Sequence, residues 1–325
     1  MTTPSEKIPA PDDSEPPDTR TGAVPPSLAG PTGMPHQRTC RPRTGRPLGP
    51  VACDADSAHR AWLIPVREAY LASGLTMVQL GMRLHLAKSK ISELLSGRTY
   101  PRWETLYKLA VELQIPYSPL YRLWRQAALE GMNKNPQWVQ KSTAGVTLTT
   151  NPAPPLDHRA FCNLTQDGYR TYAGVFLSED DTRTAIRDTF DQLWLSWNKA
   201  LSSPDARRYA WHVLRSTVMS RTPHLDGRPE FQHAAFSTVA LQSLTDQDAC
   251  LEQLAETLAL LKAMRRLPDN QLDVVVLRSL CGISSEDVSE LLGVPLATVR
   301  SDERHATRFL DSVLCPSPDY EGNLA

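Results

Sequence analysis

The chain has 325 residues, enough for two or three domains of ~100 to 200 residues each. Its 35 Lys and Arg nearly balance 36 Asp and Glu, for a formal charge of −1, which excludes a protein that coats nucleic acid by bulk charge and leaves only local basic patches. The six cysteines, Cys40, Cys53, Cys162, Cys250, Cys281 and Cys315, contain no C-x-x-C pair, and no apolar run nears the ~20 residues of a membrane span, so we expect a cytoplasmic protein without membrane contact, metal or cofactor.

Residues 1–55 are proline-rich, from Pro4 and Pro9 to Pro47 and Pro50, with few large apolar side chains to offset the entropy of ordering the backbone, and are expected to be disordered. Arg38, Arg41, Arg43 and Arg46 near their end suit either a basic arm along a DNA groove or a solvated tail. From residue 58 to 130 apolar residues recur at helical spacing: Ile64 and Leu71, Leu80 and Leu84, Ile91, Leu94 and Leu95, Leu106, Leu109 and Leu113, then Leu120, Leu123 and Trp124. This pattern predicts five short helices around one core. A linker is expected over 131–156, where the run from Gly145 to Pro155 has no period. A second helical domain follows over 157–222, a turn-rich linker with Pro223, Gly227 and Pro229 over 223–245, a third helical domain over 246–315, and a tail over 316–325. Strand signals are nearly absent, so the predicted class is all-α.

Two segments spell a short helix, a tight turn and a second helix, a pattern that points to double-stranded DNA. In the first, Thr76 is placed to cap the leading helix and Gly81 to let it approach the next. The second helix turns Lys88, Ser89, Lys90, Ser92 and Glu93 outward, and Arg98 and Arg102 follow it. Lysines and arginines suit guanine acceptors or phosphates, and serines suit bases or backbone. The net charge between Arg60 and Glu130 is +5, which makes this segment the electrostatic candidate for DNA contact. Thr76, Ile91, Ser92, Gly97, Pro101 and Leu106 carry a resemblance to the Xre/Cro repressor family over Ala61 to Leu113. It implies a DNA reader whose contacts are Lys88, Ser89, Lys90, Ser92, Arg98 and Arg102. Met77 and Ala87 depart from that family's usual Gln and hydroxyl cap.

In the third block, Leu267-Pro268, the apolar run Val274 to Leu277, Gly282-Ile283-Ser284, Val288 to Val294 and Thr298-Val299-Arg300-Ser301 resemble region 4 of the extracytoplasmic-function sigma factors. The resemblance implies promoter recognition by a helix from Leu296 to Phe309, through Thr298, Arg300, Ser301, Arg304 and His305. Asp302 and Glu303 stand where that family is more basic, and carboxylates there would repel phosphates unless one accepts from a cytosine amino group. The second block resembles sigma region 2. Phe190 to Trp194 is similar to its polymerase-binding helix, which implies contacts of Thr184, Arg187, Phe190 and Trp194 with core RNA polymerase, although an Asp and a Gln are usual in place of Thr184 and Arg187. Ala210 to Arg221 is similar to the helix that captures melted promoter DNA, which implies single-strand contacts by Arg208, Trp211, Arg215 and Arg221. Trp194, Trp197 and Trp211 are equally readable as core residues.

An enzyme is not expected: the chain has no Gly-rich phosphate loop and no metal-spaced His or Cys set, and His158, His212, His224, His233 and His305 stand isolated. The expected function is a sequence-specific transcription regulator on the nucleoid, with a sigma-like unit and an added Xre-type reader. The alternatives are a DNA-binding regulator without sigma activity and an adaptor built from helix-turn-helix units. Nothing in the sequence sets the oligomeric state.

Overall fold

The computed structural model describes residues 48–146, 153–232 and 247–314. The proline-rich stretch up to residue 47, its arginine arm and the tail from residue 315 lie outside the described residues. What is described is helical apart from a two-residue hairpin, an all-α protein.

The first unit comprises α1 (Ser57–Ala72), α2 (Met77–Leu84), α3 (Lys88–Ser96), α4 (Trp103–Glu112), α5 (Tyr117–Glu130) and α6 (Pro136–Thr143). Trp62, Leu63, Val66, Leu80, Ile91, Leu95, Trp103, Leu106 and Trp124 fill its core. Ile64 and Leu71, expected inside, are 44% and 59% exposed. The larger Trp62 sets the buried face of α1, and Leu63, Val66 and Tyr70 follow it at helical spacing. Residues 48–55, expected to be disordered, pack against this core through Leu48, Val51 and the buried Ala55, and the Ala52 N–H donates to Ser96 O at 2.8 Å. Within the stretch expected as linker, α6 forms because Asn135 caps it by accepting from the Trp138 N–H at 2.7 Å with Pro136 in the first turn. Its Val139 and Trp138 then close over the core, Trp138 lying 5.8 Å from the Trp124 ring.

Beyond residue 153 come α7 (Leu156–Gly174), α8 (Glu179–Leu195), α9 (Trp197–Ser202) and α10 (Ala206–Arg221). A hairpin pairs His224–Leu225 with Arg228–Pro229, and its Asp226-Gly227 turn has both residues at positive φ, 53° and 72°. Then follow α11 (Gln247–Met264), α12 (Asp269–Val275), a wider π-type turn over Val276–Leu280, α13 (Ser285–Leu292) and α14 (Leu296–Leu314). The sequence reading expects two domains here. The buried side chains form one continuous cluster, running from Tyr169 and Tyr172 of α7 through Trp211 and Leu214 of α10 to Val276, Val288, Val299 and Leu310.

Candidate nucleic-acid interface

The first helix-turn-helix is α2 and α3. Thr76 caps α2 by accepting from the Gln79 N–H at 3.2 Å, and Gln79 Oε1 reaches back to the Thr76 N–H at 2.9 Å, a reciprocal capping box. A left-handed His85 ends the helix, and the Leu86 N–H donates to Gly81 O at 2.8 Å. A Cβ on Gly81 would stand 2.6 Å from Leu86 O, so the turn requires a glycine here. Ala87 provides no side-chain cap for α3, and the unpaired N–H groups of that end stay available to an acceptor such as a phosphate.

Lys88, Ser89, Lys90, Ser92, Arg98 and Arg102 are all exposed. Lys90 pairs with Glu93 at 2.9 Å, whereas Lys88, Arg98 and Arg102 have no ion-pair partner among the described residues. The rest of the +5 balance is mostly committed to the fold. Arg60 donates to Ala52 O and Ala55 O, Arg67 to Leu95 O and Gly49 O, and Arg83, Lys108 and Arg122 pair with Glu112, Glu104 and Asp191. The unpaired cations are thus concentrated at α3 and the turn behind it, with Arg125 on α5 apart from them.

The second helix-turn-helix is α13 and α14. Ser284 caps α13 by accepting from the Asp287 N–H at 3.1 Å, and Gly293 ends it at φ 63°. Thr298, Arg300, Arg304 and His305 are exposed and Ser301 is half-buried. Arg300 reaches Glu286 at 3.3 Å, and Ser301 Oγ lies 3.4 Å from His305 Nδ1. The carboxylates expected to repel phosphates are turned to the protein: Asp302 accepts from Asn270 Nδ2 at 2.9 Å and Glu303 from Arg278 Nε at 3.1 Å. Glu303 is thereby charge-paired and Asp302 hydrogen-bonded, and Arg304 and Arg308 remain as unpaired cations of α14 among the described residues.

Of the residues expected on single-stranded DNA, only Arg208 is exposed. Trp211 is 4% exposed and donates from Nε1 to Asp273 Oδ2 at 3.0 Å, so its ring has no face free for a base. Arg215 Nε donates to the same carboxylate at 2.9 Å, and its Nη2 pairs with Asp269 at 2.9 Å. Arg221 is engaged by Asp188 at 2.6 Å and Glu130 at 3.3 Å. For Trp211 and Arg215 the reason is Asp273, 3% exposed, which also accepts from the Tyr172 hydroxyl at 2.7 Å and thereby gathers α7, α10 and α12 around one buried acid. Sequence reasoning passed over it, although a lone carboxylate inside Leu272-Asp273-Val274-Val275-Val276-Leu277 is the kind of signal that marks a satisfied buried charge.

Of the residues expected on polymerase, Thr184, Arg187 and Trp194 lie beside α5. Arg187 is exposed on one side and donates to Gln126 Oε1 at 2.8 Å, Thr184 lines the same cleft, and the half-buried Trp194 lies 6.0 Å from the Arg122 guanidinium. Phe190 is half-buried and stacks on Tyr169. Asp191, not singled out from the sequence, receives both Arg122 Nε and Nη2, at 2.7 and 2.5 Å. No group of three or more His, Cys, Asp or Glu able to hold a metal occurs among the described residues, and no described helix is long and apolar enough to cross a membrane.

The family model described as Sigma-70, region 4 matches residues 257–307, from within α11 into α14. Comparisons with curated proteins and with solved structures gave no match. The match takes in α13 and α14 as far as Thr307, and this part of the chain is similar to the DNA-binding, transcription-regulating region 4 of sigma factors.

Proposed function

We propose that the protein is a sequence-specific transcription regulator that reads duplex DNA at two places, through an Xre-type α2–α3 and a sigma region 4-type α13–α14, and joins core RNA polymerase through a region 2-type α8 to initiate transcription at its promoters. It works in the cytoplasm, on the nucleoid. The observation that carries this reading is the family match over 257–307, which falls on a helix whose Thr298, Arg300, Arg304 and His305 are exposed to solvent, Arg304 without an ion-pair partner among the described residues. Support for the first reader is the unpaired Lys88 at the uncapped start of α3, with Arg98 and Arg102 unpaired in the turn that follows the helix.

Selection of bound DNA from a random pool by the full chain tests it, followed by salt titration on the recovered sites. Lys88→Ala should lower the slope of log affinity against log salt by ~0.9 if it neutralises one phosphate, or cost ~1–3 kcal/mol at a single base pair if it reads a base edge. Lys90→Ala should do less, because Glu93 already holds that ammonium. Arg304→Ala should act on a second, separable sequence element. Recovery of no shared sequence would overturn the reading.

A second reading, a regulator with two DNA readers and no sigma activity, is favoured by one observation: Trp211 and Arg215, the residues best suited to melted DNA, are sealed around Asp273. Run-off transcription with core polymerase from a selected promoter separates the two. Transcript that depends on the protein excludes the second reading, and repression without it excludes the first.

A further inference from the structure

We infer that the first helical unit is a removable cover on α8: its α5 occupies, within the same chain, the face through which α8 would join RNA polymerase. The inference rests on the polymerase reading of α8 given above. The contacts are specific. Arg122 of α5 grips Asp191 at two points, 2.7 and 2.5 Å, and lies 6.0 Å from the Trp194 ring. Gln126 accepts from Arg187 at 2.8 Å, and Glu130 takes Arg221 of α10 at 3.3 Å. At the margin of the seam Glu68 of α1 meets Lys199 of α9 at 2.6 Å. A partner reaching Asp191, Arg187 and Trp194 therefore meets α5 first.

The seam is built to part. Each side keeps its own buried core, one around Trp62 and Trp124 and the other around Tyr172 and Trp211. Between them lie ion pairs, Leu195 of α8 against the first core, and a cavity of about 650 Å³ bordered by Ile64, Pro65 and Val213 as well as Glu68, Asp188 and Arg221. Separation would wet the ion pairs and the Leu195 contact and leave the rest of both cores in place, which is the character of an interface that opens and closes. Opening also leaves Asp191 without its guanidinium. The surface that displaces α5 has to present a cation where Arg122 now stands, so the cover and the partner compete for one carboxylate. While α5 is seated, the apparent affinity of α8 for that partner is its intrinsic affinity multiplied by the open fraction, so a cover closed nine times in ten weakens it by about tenfold.

The test uses the full chain and purified core RNA polymerase, with two substitutions on the cover and none on α8. Arg122→Glu sets a carboxylate against Asp191, and Glu68→Lys sets an ammonium against Lys199 at a more exposed place, where loss of folding is not at stake. Hydrogen–deuterium exchange across α8 reads the opening, and polymerase affinity reads its consequence. Faster exchange in α8 together with an affinity about tenfold higher or more supports the cover. Faster exchange with the wild-type affinity overturns it while the polymerase reading stands. An α8 that stays protected in both variants overturns it as well. If α8 opens and neither wild type nor variants bind polymerase, the polymerase reading fails and the cover falls with it.

Discussion

Helices α2 and α13 are each eight residues long, each begins at a hydroxyl cap, Thr76 or Ser284, and each ends in a left-handed residue, His85 or Gly293; they differ in what lies beyond the turn. Past His85 the chain closes within its own unit, Leu86 against Gly81 and against the core around Trp62. The Gly293 turn is pressed instead against another part of the fold, where an added Cβ would run into the Arg208 backbone and stand 2.6 Å from Asp205 Oδ1. Two residues earlier Leu291 packs so closely on α7 that a Cβ on Gly168 would meet it at 2.9 Å. The same local design thus yields a reader that depends on its own unit and a reader held by the helices around Asp273. Local sequence sets the shape of such a motif, and its surroundings set whether it can move independently.

The largest way to break this contrast is to remove the acid that anchors the second reader. Asp273→Ala leaves Trp211 and the Tyr172 hydroxyl without their acceptor and Arg215 with Asp269 alone, and loss of one partner of a buried charge pair typically costs about 3–5 kcal/mol. Denaturant unfolding should show residues 153–314 destabilised by that amount while the first unit melts as before. Coincident, unshifted transitions would refute the anchoring role.

A smaller effect separates the seam beside α5 from the rest of the protein. Burial pushes the Asp188 carboxyl up to about 6 against the opposing pull of Arg221. Folding therefore favours its protonated form. The contribution is complete below the ordinary Asp value of about 4 and is lost as pH rises through about 6, at most about 3 kcal/mol in all. Stability measured from pH 4 to pH 7 should carry this decline, and Asp188→Asn should flatten it. A profile that is identical in the variant would show that Asp188 is not its source.

The two glycines give the sharpest comparison at the least cost in stability, about 1–3 kcal/mol each for a forced backbone shift or an unfavourable φ. Gly81→Ala should impair binding to the sequence element read by α3 and spare that read by α14, and Gly293→Ala should do the reverse. Equal loss at both elements in either variant would mean that the readers are coupled, contrary to their different embedding.

Much of this was legible without coordinates. The capping by Thr76, the need for glycine at position 81, the outward Lys88 and Lys90 and the helix from Leu296 follow from residue types at fixed spacing, because caps, tight turns and helix faces involve neighbours within about one or two turns of chain. Ile64 and Leu71 show the limit of that logic, since periodicity finds an apolar stripe but does not rank it against Trp62, two residues before Ile64.

The sequence by itself determined the all-α class, the two helix-turn-helix segments and the cations that their second helices carry. Only the tertiary structure decided which charges remain free. Asp302 and Glu303 look like repulsion toward DNA until Asn270 and Arg278 are seen to hold them, Arg122 looks like one more basic residue until Asp191 takes it, and Trp211 looks ready for a base until Asp273 draws it inside. The pairs formed by Arg122 and Trp211 join residues 69 and 62 positions apart, and no local pattern encodes such a partner. A buried charge is stable only where a complementary group reaches it through the fold, so its role is fixed by packing that spacing along the chain does not specify.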